Sequence, residues 1–233
     1  MKYHLGELLR DNQPMTIGLL GRKGSGKNEV SRILAERMGF YETSCAKKLY
    51  QEVAEAFNVS VAFLNNRDTK ETPLPELALS CCRENDPFWS VAWRVLMDEH
   101  SGKLPASGWF INPVTKDFVL SPRKVMQLWG TEYRRKNDNF YWVKALDEDI
   151  KAQPNKRVVV FDIREPHEAA YVKRRDNGEV WKMERLDNPY AFVGSSQHSS
   201  ETSVDTVAFD RVIANNSTLE ALDDYVTAMF LAP

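Results

Sequence analysis

Cysteine and histidine are scarce in this sequence, and their spacing does not suit a metal cluster or a disulfide framework. Only three of the 233 residues are cysteine, and Cys81 and Cys82 are adjacent, which fits neither a C-x-x-C zinc site nor an ordinary disulfide. The four histidines lie far apart in the chain, at His4, His100, His167 and His198. So few cysteines favour a reducing, cytoplasmic compartment.

Long apolar runs and an excess of one charge are also absent. No window approaches about 18 consecutive apolar residues, so we expect no membrane-spanning helix, and the first 14 residues lack the apolar centre of a signal peptide. The 31 basic and 33 acidic residues give a formal net charge of −2, whereas proteins that follow a nucleic-acid backbone are usually basic. This composition disfavours non-specific binding of DNA or RNA, and basic runs at 134–136 and 173–175 are the local exceptions.

What the chain has instead is an alternation of short apolar segments with helical patterns. The apolar segments predict strands at 15–20, 40–45, 157–161, 180–186 and 211–214. Helical patterns occupy 27–38, 46–57 and 166–176, and Ser217-Thr218-Leu219-Glu220 has the pattern of a capping box that opens a last helix. The alternation predicts an α/β fold with a doubly wound parallel sheet, and the motif G-x-x-x-x-G-K at 21–27, directly after the first predicted strand, indicates the P-loop NTPase type.

The middle of the chain is less regular. It contains a helical pattern around 88–97 and a Gly/Pro-spaced segment at 101–120 that predicts a hairpin, and Ser121-Pro122 then opens another helix with Ser121 as its N-cap. We therefore expect a single domain made of a core, an inserted substrate-binding region and a lid. Their approximate bounds are 15–57, 157–186 and 210–230 for the core, 58–150 for the substrate-binding region and 187–205 for the lid.

The segment GRKGSGKNEV, which begins at Gly21, has the motif of a phosphate-binding loop. It fits G-x-x-x-x-G-K-[ST] at every fixed position except the last, and it lies between a predicted strand and a predicted helix, as such a loop requires. Gly21, Gly24 and Gly26 let backbone N–H groups turn toward phosphate oxygens, and the helix that follows adds the positive end of its dipole. Lys27 is expected to reach the β- and γ-phosphates.

A metal site is predicted less directly, because Asn28 stands where the motif has a magnesium-binding hydroxyl. The Asn28 amide oxygen either touches Mg²⁺ directly or acts through water. Asp162 lies at the carboxyl end of an apolar strand, where ligands collect in open α/β sheets, and it either holds Mg²⁺ through water or binds a substrate hydroxyl. Arg164 would clamp a phosphate, and the alternative is an Asp162–Arg164 ion pair that caps the strand.

Other polar residues follow the later predicted strands. Arg185 precedes the polar loop and is either a lid arginine or a surface residue at a strand end. The amides of Asn215 and Asn216 either read an adenine edge or make an ordinary turn. His198 is followed by serine, but no orienting group or oxyanion hole is evident, so a mobile lid over phosphates is favoured over hydrolase chemistry.

The helix that begins at Ser121 has two different faces. Val125, Leu128 and Trp129 lie together at helical spacing and are expected to face the core. The opposite face carries Arg123, Gln127, Gly130 and Thr131. It offers a guanidinium group, an amide and a glycine that permits close approach to a polar ligand.

The order of these segments resembles the deoxynucleoside monophosphate kinases of tailed phages. The matching segments are GRKGSGKNEV, NNRDTKE, SPRKVMQLWGTE, NFYWVKAL, VVVFDIREPHEA, QHSSE and VIANNSTLEAL, spread from about residue 15 to about residue 228. A P-loop alone is common, but R-K-x-M-Q-x-x-G-T-E followed by F-Y-W-V and then D-x-R-x-x-x-E is specific. Members of this family also depart from Ser/Thr after the P-loop lysine, so Asn28 fits the family better than it fits the general motif.

The resemblance implies an enzyme that transfers the γ-phosphoryl group of ATP, with Mg²⁺, to a deoxynucleoside 5′-monophosphate for phage DNA synthesis. Binding of ATP is expected to involve Gly21, Lys23, Gly24, Ser25, Gly26, Lys27, Asn28, Arg185, Asn215 and Asn216. The groups expected to act on the transferred phosphoryl group are Lys27, Arg123, Asp162 and Arg164. The resemblance also implies a homodimer and, for a chain of phage origin, the cytoplasm of a bacterial host.

The acceptor nucleotide is expected at a second set of residues carried over by motif. Arg67, Arg123 and Arg164 would grip its phosphate, and Asp162 and Glu168 would lie near its sugar and phosphate. Gln127, Gly130, Thr131 and Trp142 would contact the nucleoside, with Trp142 stacked on the base. One departure is Tyr50, which stands where the family tends to have a lysine, so the acceptor end differs from the family pattern.

Two alternative functions remain at this stage. A kinase of the same fold could phosphorylate 5-hydroxymethyluracil in phage DNA, for which the basic run at 134–136 would supply strand contacts. A non-catalytic nucleotide-binding module is the second alternative, with Asn28 as the mark of lost catalysis. Retention of Lys27, Asp162 and several arginines argues against the second.

Overall fold

The computed structural model describes residues 16–83, 87–104, 106–187 and 203–231. The chain divides into two compact units, one formed by the residues up to Cys45 and from Val143 onward, the other by Ala46–Trp142. The first 14 residues, His198 and most of the predicted lid lie outside the described residues. None of the helices within those ranges is long and apolar enough to cross a bilayer.

The described part of the chain contains the predicted alternation of strands and helices. The strands are β1 (Thr16–Leu20), β2 (Tyr41–Thr43), β3 (Trp109–Ile111), β4 (Phe118–Leu120), β5 (Val158–Ile163), β6 (Gly178–Glu184) and β7 (Arg211–Ala214). The α-helices are α1 (Lys27–Met38), α2 (Lys47–Phe57), α3 (Val61–Asn65), α4 (Pro87–His100), α5 (Pro122–Gln127), α6 (Tyr141–Lys151), α7 (Pro166–Lys173) and α8 (Leu219–Leu231). A π-helix, Leu128–Arg135, continues α5 directly.

A parallel sheet with the strand order β2-β5-β1-β6-β7 forms the centre of the first unit. Alternate residues of its strands face two different cores, as a sheet covered on both sides requires. Ile17, Leu19 and Val159 pack with α1 and α8 on one side. Val158 and Val160 pack with α6 and α7 on the other. The prediction of a doubly wound parallel sheet is confirmed.

The second unit has an aromatic core of its own. Phe88 is fully buried, 4.5 Å from the ring of Trp129 and 5.8 Å from that of Tyr133, measured between ring centroids. The predicted hairpin is confirmed as the antiparallel pair β3–β4, with Trp109 opposite Leu120. The sequence predicts a substrate-binding region at about 58–150, and this compact unit extends over Ala46–Trp142.

Helix ends follow the sequence signals with one correction. Gly39, directly after the helical pattern predicted at 27–38, ends α1 in the left-handed conformation. The Ser121 hydroxyl accepts from the Lys124 backbone N–H at the start of α5, as predicted. The capping box predicted to begin at Ser217 is wrong by one residue. The Thr218 hydroxyl accepts from the Ala221 N–H at 3.2 Å, because α8 begins at Leu219.

The helical pattern predicted after Ser121 does not continue as an α-helix. From Leu128 to Arg135 the winding is that of a π-helix, and the Lys136 N–H donates to the Thr131 carbonyl, five residues earlier, at 3.0 Å. π-Helices are rare and usually short, and they often occur at functional sites. The predicted acceptor residues Gly130 and Thr131 lie within this segment.

Candidate active site

The loop between β1 and α1 has the backbone conformation that its glycines permit. Gly24 and Gly26 have φ angles of 79° and 99°, in the left-handed region that L-residues rarely adopt. Gly26 is also the N-cap of α1. A Cβ atom placed on Gly26 would lie 2.3 Å from Nδ2 of Asn215, so the position requires glycine for both backbone conformation and space.

Lys27 supplies the cation of this loop. Its Nζ donates to the carbonyl oxygens of Gly21 and Arg22, at 2.5 and 2.8 Å, and thereby holds the ammonium group across the loop. Ser25 is 2% exposed, and its hydroxyl has no hydrogen-bond partner among the described residues. Lys23 lies exposed in the same loop. A lysine, a buried orphan hydroxyl and the N-terminus of α1 together fit the binding of a phosphate chain.

Two asparagines after β7 contact the elements around the P-loop. Asn215 is 8% exposed, and its Nδ2 donates to the Ser25 carbonyl at 3.1 Å, which fixes the loop. The Asn216 Oδ1 accepts from the Leu186 backbone N–H at 2.9 Å and so joins the ends of β6 and β7. The described contacts are structural, and a role in reading adenine stays a prediction.

Arg185 lies on the same side of the first unit as the P-loop. A cleft with a volume of about 280 Å³ is lined by Gly21, Arg22, Ser25, Val204 and the segment 182–186. Arg185 Nε also donates to Asp187 at 2.9 Å, and this hydrogen bond lowers the pKa of the Asp187 carboxyl below its usual value. The structure therefore brings the predicted lid arginine to the first residues of the P-loop.

Asp162 ties the end of β5 to the end of β2. Its Oδ1 accepts from the Cys45 backbone N–H at 2.7 Å, a contact that the sequence did not predict. β5 itself continues through Asp162 to Ile163, beyond the predicted end at residue 161. The carboxylate is thereby fixed at the carboxyl edge of the sheet, where a metal or substrate role was predicted.

Glu168 and Arg164 lie at the start of α7. Glu168 is 3% exposed, and its Oε2 accepts from the backbone N–H groups of Arg164 and Glu165 at 2.8 and 3.1 Å. These bonds satisfy amide groups at a helix N-terminus. The Arg164 side chain is exposed. The structure gives Glu168 a capping role, and its predicted place near the sugar stays a prediction.

The residues predicted to hold Mg²⁺ offer oxygen donors. Asn28 is exposed in the first turn of α1 and Asp162 lies at the end of β5. Within the ranges that the structure covers, no three His, Cys, Asp or Glu side chains gather into a metal-binding group. Mg²⁺ is commonly held by one or two carboxylates, phosphates and several waters, so an amide and a carboxylate fit this ion.

Two of the three predicted acceptor-phosphate residues, Arg67 and Arg123, lie in the second unit, whereas Arg164 lies in the first. Arg67 is exposed. Arg123, 48% exposed, forms an ion pair through its Nε with Glu71, and its backbone N–H donates to the Lys70 carbonyl at 3.0 Å. An exposed ion pair contributes little stability and exchanges readily, which suits a group that binds an incoming anion.

A lysine reaches the position at which the sequence departs from the family pattern. Lys70 Nζ donates to the Tyr50 hydroxyl at 3.2 Å and lies 5.9 Å from the centre of that ring. Lys70 belongs to the NNRDTKE segment, as Arg67 does. The second unit therefore has a positive charge beside Tyr50, supplied by a residue that the sequence analysis did not select.

The predicted nucleoside-contacting residues differ in exposure. Gln127 is partly buried at the end of α5, and Thr131 is exposed. Gly130 is buried, and a Cβ atom at that position would lie 3.1 Å from the Leu49 side chain. Trp142 is only 4% exposed, and its indole N–H donates to the Gly130 carbonyl at 3.2 Å. Trp142 belongs to the core of the second unit, so base stacking by this residue stays a prediction.

A buried carboxylate that sequence reasoning missed lies next to these residues. Glu52 is 9% exposed and accepts from Trp129 Nε1 at 2.8 Å, Arg134 Nε at 2.9 Å and the Tyr141 hydroxyl at 2.5 Å. Burial and the hydrogen bond to Glu52 raise the pKa of Tyr141 to about 12, so this phenol stays protonated at neutral pH. The sequence did contain one indication that Glu52 is buried. It lies on the same side of α2 as Leu49 and Val53, the residues expected to face the core.

Arg134 is held inside this cluster. Its guanidinium carbon lies 4.4 Å from the ring centre of Tyr133, 4.9 Å from that of Tyr141 and 5.6 Å from that of Trp129. Burial alone would lower the pKa of Arg134, but the hydrogen bond and charge of Glu52 outweigh it and raise that pKa. The Arg134 side chain is 23% exposed, and its contacts with Glu52 and three aromatic rings hold it in this cluster.

Comparisons with known proteins identify the family of the chain. The family model described as deoxynucleotide monophosphate kinase matches residues 108–226, just over half of the chain. A protein of Acanthamoeba polyphaga mimivirus, assigned by its name to the deoxynucleotide monophosphate kinases, is 27% identical over 218 residues, which cover 88% of this chain and 90% of that protein. The deoxynucleoside-5′-monophosphate kinase of Escherichia phage T5 is 22% identical over 210 residues, 81% of this chain and 84% of that enzyme. The chain thus belongs to the deoxynucleotide monophosphate kinase family.

Proposed function

We propose that the protein transfers the γ-phosphoryl group of ATP to a deoxynucleoside 5′-monophosphate and releases the diphosphate. The observation that carries this proposal is the P-loop, in which Lys27 bridges two backbone carbonyls and Asn215 fixes the loop from β7. Family membership supports the same reaction, because the matching family and both relatives are named for deoxynucleotide monophosphate kinase activity. The residue roles below are part of the proposal.

The first unit supplies the groups that would hold the ATP phosphates. Backbone N–H groups between Gly21 and Lys27 and the N-terminus of α1 receive the phosphate oxygens, and Lys27 turns from the loop carbonyls to the β- and γ-phosphates. Asn28 and Asp162 would hold Mg²⁺. When bound, this ion neutralises charge on the β- and γ-phosphate oxygens.

Acceptor binding is assigned to the residues that the resemblance selected. Arg67 and Arg123 would bind the 5′-phosphate, with Arg123 exchanging its ion pair with Glu71 for the anion. Gln127, Gly130 and Thr131 would contact the nucleoside. Arg164 would stabilise the charge of the transferred group. A 5′-phosphate oxygen is already an anionic nucleophile, so positioning and charge neutralisation suffice without a general base.

The DNA-directed alternative is not favoured. Its sequence support was the basic run at 134–136, but the Arg134 guanidinium is paired with Glu52 and lies against three aromatic rings. The relatives are named for action on monophosphates. A non-catalytic module is not favoured either, since the family is named for a kinase activity. We propose a homodimer in a bacterial host cytoplasm from the resemblance, and light scattering tests the dimer.

A transfer assay tests the proposed reaction. The protein is incubated with γ-labelled ATP and Mg²⁺ and, in separate reactions, with each natural or hydroxymethylated deoxynucleoside monophosphate or with DNA that contains hydroxymethyluracil. Label is expected in deoxynucleoside diphosphates, and Mg²⁺ chelation should abolish it. Label that moves only to DNA, or to no acceptor, contradicts the proposal.

A further inference from the structure

The π-helix of the second unit is hydrogen-bonded to Glu52 near both of its ends. Trp129 lies near its start and Arg134 near its end, and both donate to the same oxygen, Oε2 of Glu52. The Tyr141 hydroxyl, on α6, donates to the other carboxylate oxygen. Glu52 is thus the single acceptor that joins both ends of the π-helical segment to α2.

The winding of the segment explains why both donors can reach one carboxylate. Trp129 and Arg134 are five residues apart. In an α-helix five steps of about 100° would separate their directions by about 140°. Hydrogen bonds from i to i+5 instead bring residues five apart to adjacent positions on successive turns. Two donors on one oxygen are therefore compatible with the π winding and incompatible with a regular α-helix.

The same segment contains predicted acceptor residues. Gly130 follows Trp129, and the Thr131 carbonyl accepts the i+5 hydrogen bond from Lys136 at 3.0 Å. Gly130 also packs against Leu49, which lies one turn before Glu52 on α2. A change from π to α winding would rotate Gly130 and Thr131 relative to α2, because each hydrogen bond would then span four residues instead of five.

We propose that Glu52 is a positioning residue for the acceptor nucleotide. By accepting from Trp129 and Arg134 it keeps 128–135 in the π winding and so sets where Gly130 and Thr131 meet the deoxynucleotide. This inference rests on the proposed function. The Glu52 carboxylate is 9% exposed and forms an ion pair with the Arg134 guanidinium, against which three aromatic rings pack. Removal of the Glu52 charge therefore leaves Arg134 without its counter-ion.

The test compares Glu52→Gln with a matched carboxylate of the first unit. Glu52→Gln keeps the side-chain volume and removes the charge. Asp149→Asn does the same at a carboxylate of the first unit that accepts from Thr43 Oγ1 at 2.6 Å and from the Tyr41 hydroxyl at 3.2 Å. Both variants are assayed for KM of the best deoxynucleotide acceptor and KM of ATP. The Trp129 indole and Arg134 Nε–H resonances are followed by NMR.

Glu52→Gln should raise the acceptor KM about tenfold, the scale of one lost charge-assisted hydrogen bond, and change the ATP KM less than about twofold. Asp149→Asn should change neither KM beyond about twofold. In Glu52→Gln the Trp129 and Arg134 resonances and the backbone shifts of 128–135 should move. Arg134→Lys, which keeps the charge but not the guanidinium fork, should raise the acceptor KM about threefold and serves if Glu52→Gln does not fold.

Unchanged resonances over 128–135 in Glu52→Gln overturn the inference, whatever the activity. A changed π-helix with an unchanged acceptor KM also overturns it, as does an equal rise in the ATP KM. If the wild-type protein transfers phosphate to no deoxynucleotide, the proposed function fails instead. That failure is separate, because the NMR comparison requires no substrate.

Discussion

The P-loop and the π-helix are both uncommon backbone conformations, and different forces hold them. The P-loop conformation depends mainly on residues of the loop itself. Gly24 and Gly26 adopt positive φ angles, and Lys27 donates to carbonyls five and six residues away. The π-helix depends on a carboxylate that is distant in the sequence. Glu52, which accepts hydrogen bonds from Trp129 and Arg134, is 77 residues from the first and 82 from the second. One site is built by local stereochemistry and the other by a buried long-range charge.

This difference implies different sensitivities. A locally built loop is damaged by changes of backbone freedom, such as a Cβ atom on a glycine. A site built on a buried charge is damaged by changes of charge or of hydrogen-bonding capacity far from the ligand. Donor and acceptor binding should therefore respond to different classes of mutation.

The largest effect is expected at Lys27, the P-loop cation proposed to reach the β- and γ-phosphates of ATP. Lys27→Ala should lower kcat on the order of 10³-fold, because the cation on the transferred phosphoryl group is lost. The matched control is Lys173→Ala, which removes a surface ion pair with Asp210 at 2.7 Å and should leave kcat unchanged. The γ-labelled ATP assay measures both. A Lys27→Ala variant with near wild-type turnover would remove the P-loop from the mechanism.

Backbone freedom is tested at the two ends of α1. Gly26 and Gly39 have φ angles of 99° and 71°, but a Cβ atom meets Asn215 Nδ2 only at Gly26 and meets nothing within 4 Å at Gly39. Gly39→Ala should cost about 1 kcal/mol of unfolding free energy and leave ATP binding intact. Gly26→Ala should cost about 2 kcal/mol or more and weaken ATP binding about tenfold or more. Calorimetry measures both, and equal effects on ATP binding would contradict the assigned role of Gly26.

Two buried indoles separate stability from acceptor binding. Trp129 and Trp181 are each 1% exposed, and each donates its N–H to a carboxylate, Glu52 at 2.8 Å and Glu179 at 2.7 Å. Replacing either by Phe should lower the unfolding free energy by about 1–3 kcal/mol. Trp129→Phe alone should also raise the acceptor KM, by about threefold. Denaturant unfolding and steady-state kinetics decide, and a raised acceptor KM in Trp181→Phe would show that the effect is not specific to the π-helix.

The smallest expected effect concerns the pH dependence of stability, through one tyrosine in each unit whose pKa is raised. Burial and hydrogen bonds to Glu52 and Asp147 raise the pKa values of Tyr141 and Tyr171, respectively, to about 12, whereas an unfolded tyrosine ionises near about 10. Because the folded pKa is the higher one, this stability is complete below about pH 10 and is lost as pH rises through about 12. In a pH titration followed by phenolate absorbance, Tyr141→Phe should lose one of the tyrosine ionisations that the wild-type protein shows near pH 12. Normal titration of Tyr141 would contradict its buried bond to Glu52.

The sequence could predict the P-loop because the motif is local. Strand, glycine turn, helix and Gly39 follow one another, and each element was found close to its expected bounds. The predicted strands β5 and β7 also placed Asp162 and Asn215 at the carboxyl edge of the parallel sheet. The sequence did not show what these side chains bond to, because the Cys45 N–H and the Ser25 carbonyl come from distant segments.

The π-helix could not be predicted in the same way. Apolar residues at 125, 128 and 129 fit an α-helical face and so predict an α-helix. The i+5 hydrogen bonding of the π-helix depends instead on the contact with Glu52, which is distant in the sequence. Burial of Trp142 has the same origin, since periodicity does not distinguish an aromatic residue that packs in a core from one that stacks on a base. Long-range pairing of polar groups therefore limited what the sequence could reveal of the acceptor side.

Calorimetric titration of two variants with two ligands shows whether the donor and acceptor sites are built separately. Gly26→Ala and Glu52→Gln are each titrated with a non-hydrolysable ATP analogue and with the deoxynucleotide that the wild-type enzyme uses best. Gly26→Ala should lose affinity for the ATP analogue alone, and Glu52→Gln should lose affinity for the deoxynucleotide alone. Equal losses for both ligands in either variant would contradict the assignment of donor and acceptor binding to separately built sites.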